Sequence, residues 1–218
     1  MDMVVKTSHI PVPGETVSAG SFFMNPGGKG ANQAVAVARL GGDAIFISKM
    51  GNDIFGKQSS QLLDEEGINT FYILSDNELP SGVALITVDR SGENSIVVAS
   101  GANANLHPAD LGLALNEIAQ AGIVLMQLEI PMETVRYVAE YAAGKGVRVI
   151  LNPAPANTLT PELLSHIDII TPNKTEAGML SGIKVNNMES ATTAARQIYE
   201  KGVKNVVVTM GPLGEGIY

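Results

Sequence analysis

The stretch Asn25–Ala34 reads NPGGKGANQA, with three glycines and a lysine in four consecutive positions, and it opens an Ala/Val-rich segment, Ala31–Leu40. Glycine permits tight turns and lets a ligand approach the backbone closely. The first turn of a helix offers unpaired N–H groups at the positive end of its dipole. The stretch therefore predicts a loop and helix that bind a polar molecule bearing hydroxyl or phosphate groups. A strand–turn–helix junction without a ligand is the alternative.

Two common phosphate-binding motifs do not fit this stretch. A Walker loop requires Ser or Thr after its lysine and a glycine six positions before it, but Gly30 follows Lys29, and Phe23 stands where the first glycine belongs. A dinucleotide fingerprint fails at Gln33, where its third glycine would stand. An enzyme that handles nucleotides would therefore use another architecture.

The composition narrows the class of protein. The 218 residues suffice for an α/β domain with a sizeable core. The absence of cysteine rules out disulfides and thiolate metal sites and favours a reducing cytoplasm. A net charge of −8 argues against a general nucleic-acid binder, and no run of about 18 apolar residues is present to span a membrane. We expect a cytoplasmic protein that binds neither nucleic acid nor membrane.

From residue 44 onward, strand-like and helix-like segments alternate. Continuous Val/Ile/Leu strands that alternate with amphipathic helices predict a parallel sheet covered by helices on both faces, which is a three-layer α/β domain. The predicted strands are 44–48, 123–127, 147–151, 168–171 and 205–210, and the predicted helices are 55–67, 131–143, 174–180 and 188–201.

Two regions, approximately residues 3–24 and 71–100, contain strand-like runs without helices between them. The runs 82–88 and 94–98 flank a polar turn, DRSGE, which predicts a β-hairpin. We expect a small antiparallel sheet that acts as a lid and excludes water from a reaction. The alternative is that this sheet simply packs as an edge.

Polar residues follow several of the predicted parallel strands. Ligands bind at the carboxyl ends of strands in open α/β sheets, so these residues, with Lys29 and Asn32, are candidates for one site. They are Glu129, Asn152, Asn173, Glu176, Thr209 and the turn 211–214.

Five segments, in this order, resemble the ribokinase branch of the ribokinase-like (PfkB-type) sugar kinases. They are GGKGANQA at 27–34, GNDIFG at 51–56, MQLE at 126–129, NPAPA at 152–156 and TPNKTE at 171–176. The resemblance implies a single ribokinase-like domain over residues 1–218, with a small antiparallel β lid. It also implies transfer of the γ-phosphoryl group of ATP to the 5-hydroxyl of D-ribose, with Mg²⁺ and a monovalent cation such as K⁺ as cofactors, and a homodimer formed through the lid.

The resemblance also implies roles for individual residues. A carboxylate such as Asp2 can accept hydrogen bonds from two neighbouring hydroxyls of a sugar. Glu176 would act on Mg²⁺ through water, whereas a capping-box helix start without a metal is the alternative for Asn173 and Glu176. The sugar-binding residues are Asp2, Gly28, Lys29, Asn32 and Glu129, and the nucleotide-binding residues are Asn173, Thr209, Gly211 and Gly214.

The chain departs from the family pattern at both ends. The family has a strand with a Gly-Ser-Ile-Asn-like segment before the position of Asp2. Its Gly-Ala-Gly-Asp segment, which holds the general base and the anion hole, would follow Tyr218, and no Gly-x-Gly-Asp occurs in this sequence. We therefore expect the sequence to be part of a longer chain. This part alone should be nearly inactive, because a positioned general base contributes typically about 10²–10⁴-fold.

Two other functions stay open at this stage. The first is another sugar or nucleoside kinase of the same family. The second is a non-catalytic sugar-binding protein derived from such a kinase.

Overall fold

The computed structural model describes residues 1–18 and 20–218. It divides into two units, Met1–Leu106 and His107–Tyr218, which we call unit one and unit two. Both combine β-sheet with α-helix, as the alternating pattern predicts. Within the described residues, no helix is both long and apolar enough to cross a bilayer.

Unit one contains a four-stranded sheet, a strand pair and two α-helices among its described residues. A 3₁₀ helix over Gly101–Asn105 follows the last strand. The elements are β1 (Asp2–Lys6), β2 (Ser21–Asn25), α1 (Lys29–Arg39), β3 (Ser48–Gly51), α2 (Ile54–Glu65), β4 (Ile73–Asp76), β5 (Val83–Val88) and β6 (Asn94–Ala99).

The four-stranded sheet has the order β2-β1-β5-β6, and we call it the lid sheet after its expected role. The predicted hairpin is confirmed: β5 and β6 pair antiparallel, and Asp89 Oδ1 accepts hydrogen bonds from the backbone N–H groups of Ser91 and Glu93 in the turn. One pairing differs from the expected antiparallel arrangement, because β1 runs parallel to β5. The lid sheet is therefore mixed.

The strand pair of unit one differs from the prediction in two ways. A buried strand over 44–48 is wrong: Ile45 is exposed and makes only an isolated bridge to Asn69, and the regular strand is β3, Ser48–Gly51. The strand β4 falls within the region 71–100 assigned to the lid, but it pairs in parallel with β3. A short apolar run does not reveal its partner strand, which explains both errors.

Unit two is built on a five-stranded sheet with the order β11-β10-β9-β8-β7. The strands β7 to β10 are parallel, and β11 returns antiparallel to β10. The strands are β7 (Ile123–Met126), β8 (Arg148–Leu151), β9 (Ile169–Ile170), β10 (Asn205–Thr209) and β11 (Glu215–Ile217), and the helices are α3 (Leu115–Gln120), α4 (Met132–Gly144), α5 (Pro161–Ser165), α6 (Lys174–Ser181) and α7 (Met188–Tyr199).

The packing of α4 on β8 shows how the alternating strands and helices of unit two form a buried core. Val135, Ala139 and Ala142 are fully buried, and their spacing places them along one stripe of the helix. The side chains of Val149 and Leu151 on β8 are fully buried as well. Burial of such an aliphatic side chain stabilises the fold by about 1.5–3 kcal/mol. The helix–strand alternation predicted for this half of the chain is therefore confirmed.

A buried carboxylate connects β4 to the 3₁₀ helix that follows β6. Asp76 accepts hydrogen bonds from Asn105 Nδ2 at 2.6 Å and from the backbone N–H groups of Glu78 and Leu79, both at 2.9 Å. These donors, the Asn105 amide above all, lower the pKa of Asp76 to about 2 against the opposing effect of burial. Lys49 adds a nearby positive charge and donates to the carbonyl oxygen of Asn105.

We expect Asp76→Asn to make the stability of the protein less sensitive to acid. The folded-state pKa, about 2, lies below the ordinary pKa of an aspartate side chain. The carboxylate therefore contributes stability above about pH 4 that is lost as the pH falls through about 2. Urea unfolding should show a steeper loss of unfolding free energy between about pH 5 and pH 2.5 in the parent than in the variant. The exposed Asp64→Asn serves as a control that should follow the parent, and parallel curves for the parent and Asp76→Asn would contradict the prediction.

Candidate functional site

The glycine loop of unit one lies between β2 and α1. Gly28 occupies the N-cap position of α1 with φ of 102°, a conformation that favours glycine. Lys29 begins the helix, and the backbone N–H of Asn32 donates to the carbonyl oxygen of Gly28 at 3.0 Å, which closes the first turn. Because the N-cap residue is glycine, no side-chain capping hydrogen bond is made to the N–H groups of this turn. The predicted glycine loop that leads into a helix is therefore confirmed.

Asp2 lies directly against the glycine loop. Its strand β1 pairs antiparallel with β2, with Asp2 opposite Asn25. A Cβ atom added to Gly27 would lie 2.1–2.4 Å from the carboxylate atoms of Asp2, so only glycine leaves room for this side chain. The structure thus brings one predicted sugar-binding residue to the loop that carries three others. Gly27 itself was missed as a site residue, although the double glycine was its signal.

The remaining predicted residues belong to unit two and follow the ends of its parallel strands. Glu129 is half-buried between β7 and α4. Asn152 follows β8, and its side-chain amide donates to the carbonyl oxygen of Thr171 at 3.0 Å, which ties together the ends of β8 and β9. Asn173 forms an isolated bridge with Thr209, next to the end of β10. The prediction that these strand ends present polar residues along one edge is confirmed within unit two.

Asn173 and Glu176 form a reciprocal capping box at the start of α6. Asn173 Oδ1 accepts from the backbone N–H of Glu176 at 2.9 Å, and Glu176 Oε2 accepts from the backbone N–H of Asn173 at 2.8 Å. Glu176 is buried, with 6% of its surface exposed. The capping interpretation considered for this pair is therefore correct as a description of the helix start. It fixes the position of a carboxylate at the edge of the sheet.

Gly211 and Gly214 form the turn between β10 and β11. The backbone N–H of Met210 donates to the carbonyl oxygen of Gly214 at 2.8 Å. The N–H of Gly214 donates to the carbonyl oxygen of Gly211 at 3.0 Å. The turn reverses the chain so that β11 pairs with β10. Sequence reasoning identified the turn but missed the short returning strand.

The described residues contain no cluster of three or more His, Asp or Glu side chains arranged to hold a metal ion by themselves. Glu176 is a single carboxylate with a fixed backbone partner. It could supply one ligand position, directly or through water, to a cation that a phosphate group also binds.

Comparison with known proteins places the chain in a family. The model of the pfkB family of carbohydrate kinases matches residues 1–217. A ribokinase from Haemophilus influenzae is 46% identical over 213 residues, which are 98% of this chain and 70% of that protein. A deoxyribokinase from Salmonella typhi is 38% identical over 215 residues, with the same two coverages.

A solved structure shows the same fold. The Arabidopsis thaliana ribokinase, solved in complex with ribose and ATP, matches with a TM-score of 0.90 and 36% identity over 100% of this chain and 71% of that chain. The fold is therefore the ribokinase-like three-layer α/β fold, and the chain belongs to the pfkB family of carbohydrate kinases.

Proposed function

We propose that this protein is a ribokinase, which transfers the γ-phosphoryl group of ATP to the 5-hydroxyl of D-ribose. The observation that carries the proposal is the 46% identity to a ribokinase over 98% of the chain. The match to a ribokinase solved with ribose and ATP supports the same ligands. The absence of cysteine supports a cytoplasmic location for this reaction.

In this proposal the sugar binds to the glycine loop and to Asp2 in unit one, and Glu129 is assigned to the sugar by family resemblance alone. The Asp2 carboxylate accepts hydrogen bonds from two neighbouring ribose hydroxyls. Lys29 donates, Asn32 both donates and accepts, and Gly28 lets the sugar approach the backbone. The contact between Asp2 and Gly27 supports the assignment, because it holds the carboxylate beside this loop.

We assign the nucleotide to the strand-end residues of unit two: Asn173, Thr209, Gly211 and Gly214. Phosphoryl transfer depends mainly on positioning and on stabilisation of charge. Mg²⁺ commonly binds one or two carboxylates together with phosphates and keeps several waters, and the fixed Glu176 carboxylate fits that requirement. The ion would neutralise charge on the phosphates. By family resemblance, K⁺ is a further cofactor.

A second candidate is a deoxyribokinase, because a relative with that activity is 38% identical over 98% of the chain. An ADP-release assay with ribose, 2-deoxyribose, fructose and adenosine separates the candidates. The protein should turn over ribose fastest, and faster turnover of another acceptor would overturn the ribokinase proposal. Calorimetry should detect ribose binding even where turnover is slow. Binding without any ADP release would favour the non-catalytic sugar-binding alternative.

We also propose that the protein forms a homodimer through the lid sheet. Strand pairing places Met24, Leu85 and Val97 on one face of this sheet, together with Phe22. All four are exposed within this chain. Exposed apolar side chains that adjoin one another on a sheet mark an interaction surface.

Gly27→Ala should weaken ribose binding by at least about tenfold, because the added Cβ displaces the Asp2 carboxylate and a small misplacement of a binding group is costly. Calorimetric titration with ribose measures the change. Gly112→Ala is a matched control, since Gly112 has helical backbone angles and nothing lies within 4 Å of an added Cβ. Equal ribose affinity in the parent and Gly27→Ala would contradict the placement of the sugar.

Glu176→Gln should raise the Mg²⁺ concentration for half-maximal activity by about tenfold or more, because it removes the charge of a group that orients the ion through water. Glutamine also completes a capping box, so the free energy of unfolding should change by less than about 0.5 kcal/mol. Mg²⁺ titration of ADP release and urea unfolding test the two parts. An unchanged Mg²⁺ requirement would leave Glu176 with a capping role only.

Val97→Lys should convert the dimer to a monomer in sedimentation velocity, because it places a charge on the apolar face of the lid sheet. Leu113→Lys is the control, since Leu113 is an exposed apolar residue of unit two, outside the lid sheet. A dimer that persists in Val97→Lys would place the contact elsewhere.

A further inference from the structure

Asp53 and Ser81 form a partly buried polar cluster where the lid hairpin joins the rest of unit one. Asp53 is the N-cap of α2, and its Oδ1 accepts from the backbone N–H of Gly56 at 2.8 Å. The same carboxylate accepts from the backbone N–H of Ser81 at 2.7 Å and from Ser81 Oγ at 2.8 Å. Ser81 is buried and stands two residues before β5. The start of α2 is thereby tied to the first leg of the hairpin.

The end of β3 meets the same serine. The backbone N–H of Gly51 donates to Ser81 Oγ at 3.0 Å. A Cβ atom on Gly51 would lie 2.3 Å from the backbone nitrogen of Ser81, so the two segments approach as closely as glycine permits. Ser81 therefore holds β3, α2 and the entrance to the lid sheet together.

The second leg of the hairpin is fixed at the same place. The backbone N–H of Ala102 donates to the carbonyl oxygen of Pro80 at 2.8 Å. A Cβ atom on Gly101 would lie 2.2 Å from that same oxygen, and one on Gly82 would lie 2.7 Å from the carbonyl oxygen of Ser100. Both legs of the β5–β6 hairpin are therefore locked to one another beside Ser81.

The cluster connects to Asp2 through the register of the lid sheet. The backbone N–H of Ala84 donates to the carbonyl oxygen of Met1 at 2.9 Å, and Asp2 pairs with Ala84 across β1 and β5. Ser81 lies three residues before Ala84 on the same segment. The path from the Asp53 carboxylate to the strand that carries Asp2 thus runs through the Ser81 hydrogen bonds, the chain from Ser81 to Ala84 and the pairing of β5 with β1.

The negative charge of Asp53 strengthens the hydrogen bonds that it accepts from Gly56 and Ser81. Burial would raise its pKa, but the hydrogen bonds from Gly56 and Ser81 outweigh burial and leave the pKa below its ordinary value. The carboxylate is therefore ionised near neutral pH, where its hydrogen bonds to three donors are strongest.

We propose that the Asp53–Ser81 pair is a positioning element for sugar binding, which fixes the base of the lid hairpin and, through the β5–β1 register, the place of the Asp2 carboxylate. This inference rests on the proposed function, because ribose is the ligand assigned to Asp2. It assigns a role in sugar binding to two residues outside the proposed set of ligand-binding residues.

Ser81→Ala should raise the Kd and KM for ribose roughly 3- to 10-fold, which corresponds to the loss of a buried hydrogen bond. The KM for ATP and kcat should stay within about twofold, and Ser81→Thr, which retains a hydroxyl, should recover most of the ribose affinity. Ser95→Ala, an exposed serine of β6, is the matched control and should behave as the parent. If Ser81→Ala does not fold, Asp53→Asn replaces it in the test, because asparagine keeps an N-cap acceptor. The Kd and KM for ribose should again increase.

A double-mutant cycle with Asp2→Ala separates positioning from a general loss of structure. If Ser81 acts through Asp2, then Ser81→Ala should not weaken ribose binding further in the Asp2→Ala background. Full additivity, or an unchanged ribose Kd in folded Ser81→Ala, would overturn the inference. A parent protein that binds no ribose would instead contradict the proposed function, so the two failures are distinguishable.

Discussion

The parallel alignment of β7 to β10 is the constraint on which the chemistry of unit two depends. Parallel strands require crossover connections, and α4 supplies one by burying Val135 and Ala139 against the sheet. Every strand in such an array ends at the same edge. The polar residues after the strands therefore come together at this edge, where Asn173 forms a backbone bridge with Thr209.

Unit one depends on a different constraint, the close approach of backbone segments. Gly27 accommodates the Asp2 carboxylate, and Gly51 accommodates the backbone of Ser81. At Gly27 a carboxylate, and at Gly51 the backbone of a neighbouring segment, takes the volume that a Cβ atom would otherwise fill. Such contacts link segments far apart in sequence, so they position a site without enlarging the hydrophobic core. Gly27, Gly51 and Gly56 are explained by packing as much as by ligand approach.

The sequence predicted the strands and helices best where the hydrophobic pattern extends over the most residues. The strands near 123–127 and 147–151 and the helices near 131–143 and 188–201 agree with the structure within two residues, because continuous Val/Ile/Leu runs and helical stripes are strong signals. The strand β3 was placed too early, and α3, α5 and β11 were missed, because short elements are set by tertiary partners. The contact between Asp2 and Gly27 was beyond local reasoning for the same reason.

The helix start at Asn173 shows that structural and functional interpretations of one motif need not compete. The i, i+3 spacing that lets Glu176 cap the backbone of Asn173 also holds its carboxylate in one buried position. A carboxylate that is already ordered loses little conformational freedom when it orients a hydrated cation. A flexible surface glutamate would have to be ordered at the moment of binding. The capping box is thus a means of preparing the carboxylate, and this explains why a motif that stabilises a helix suits the edge where a nucleotide phosphate is proposed to bind.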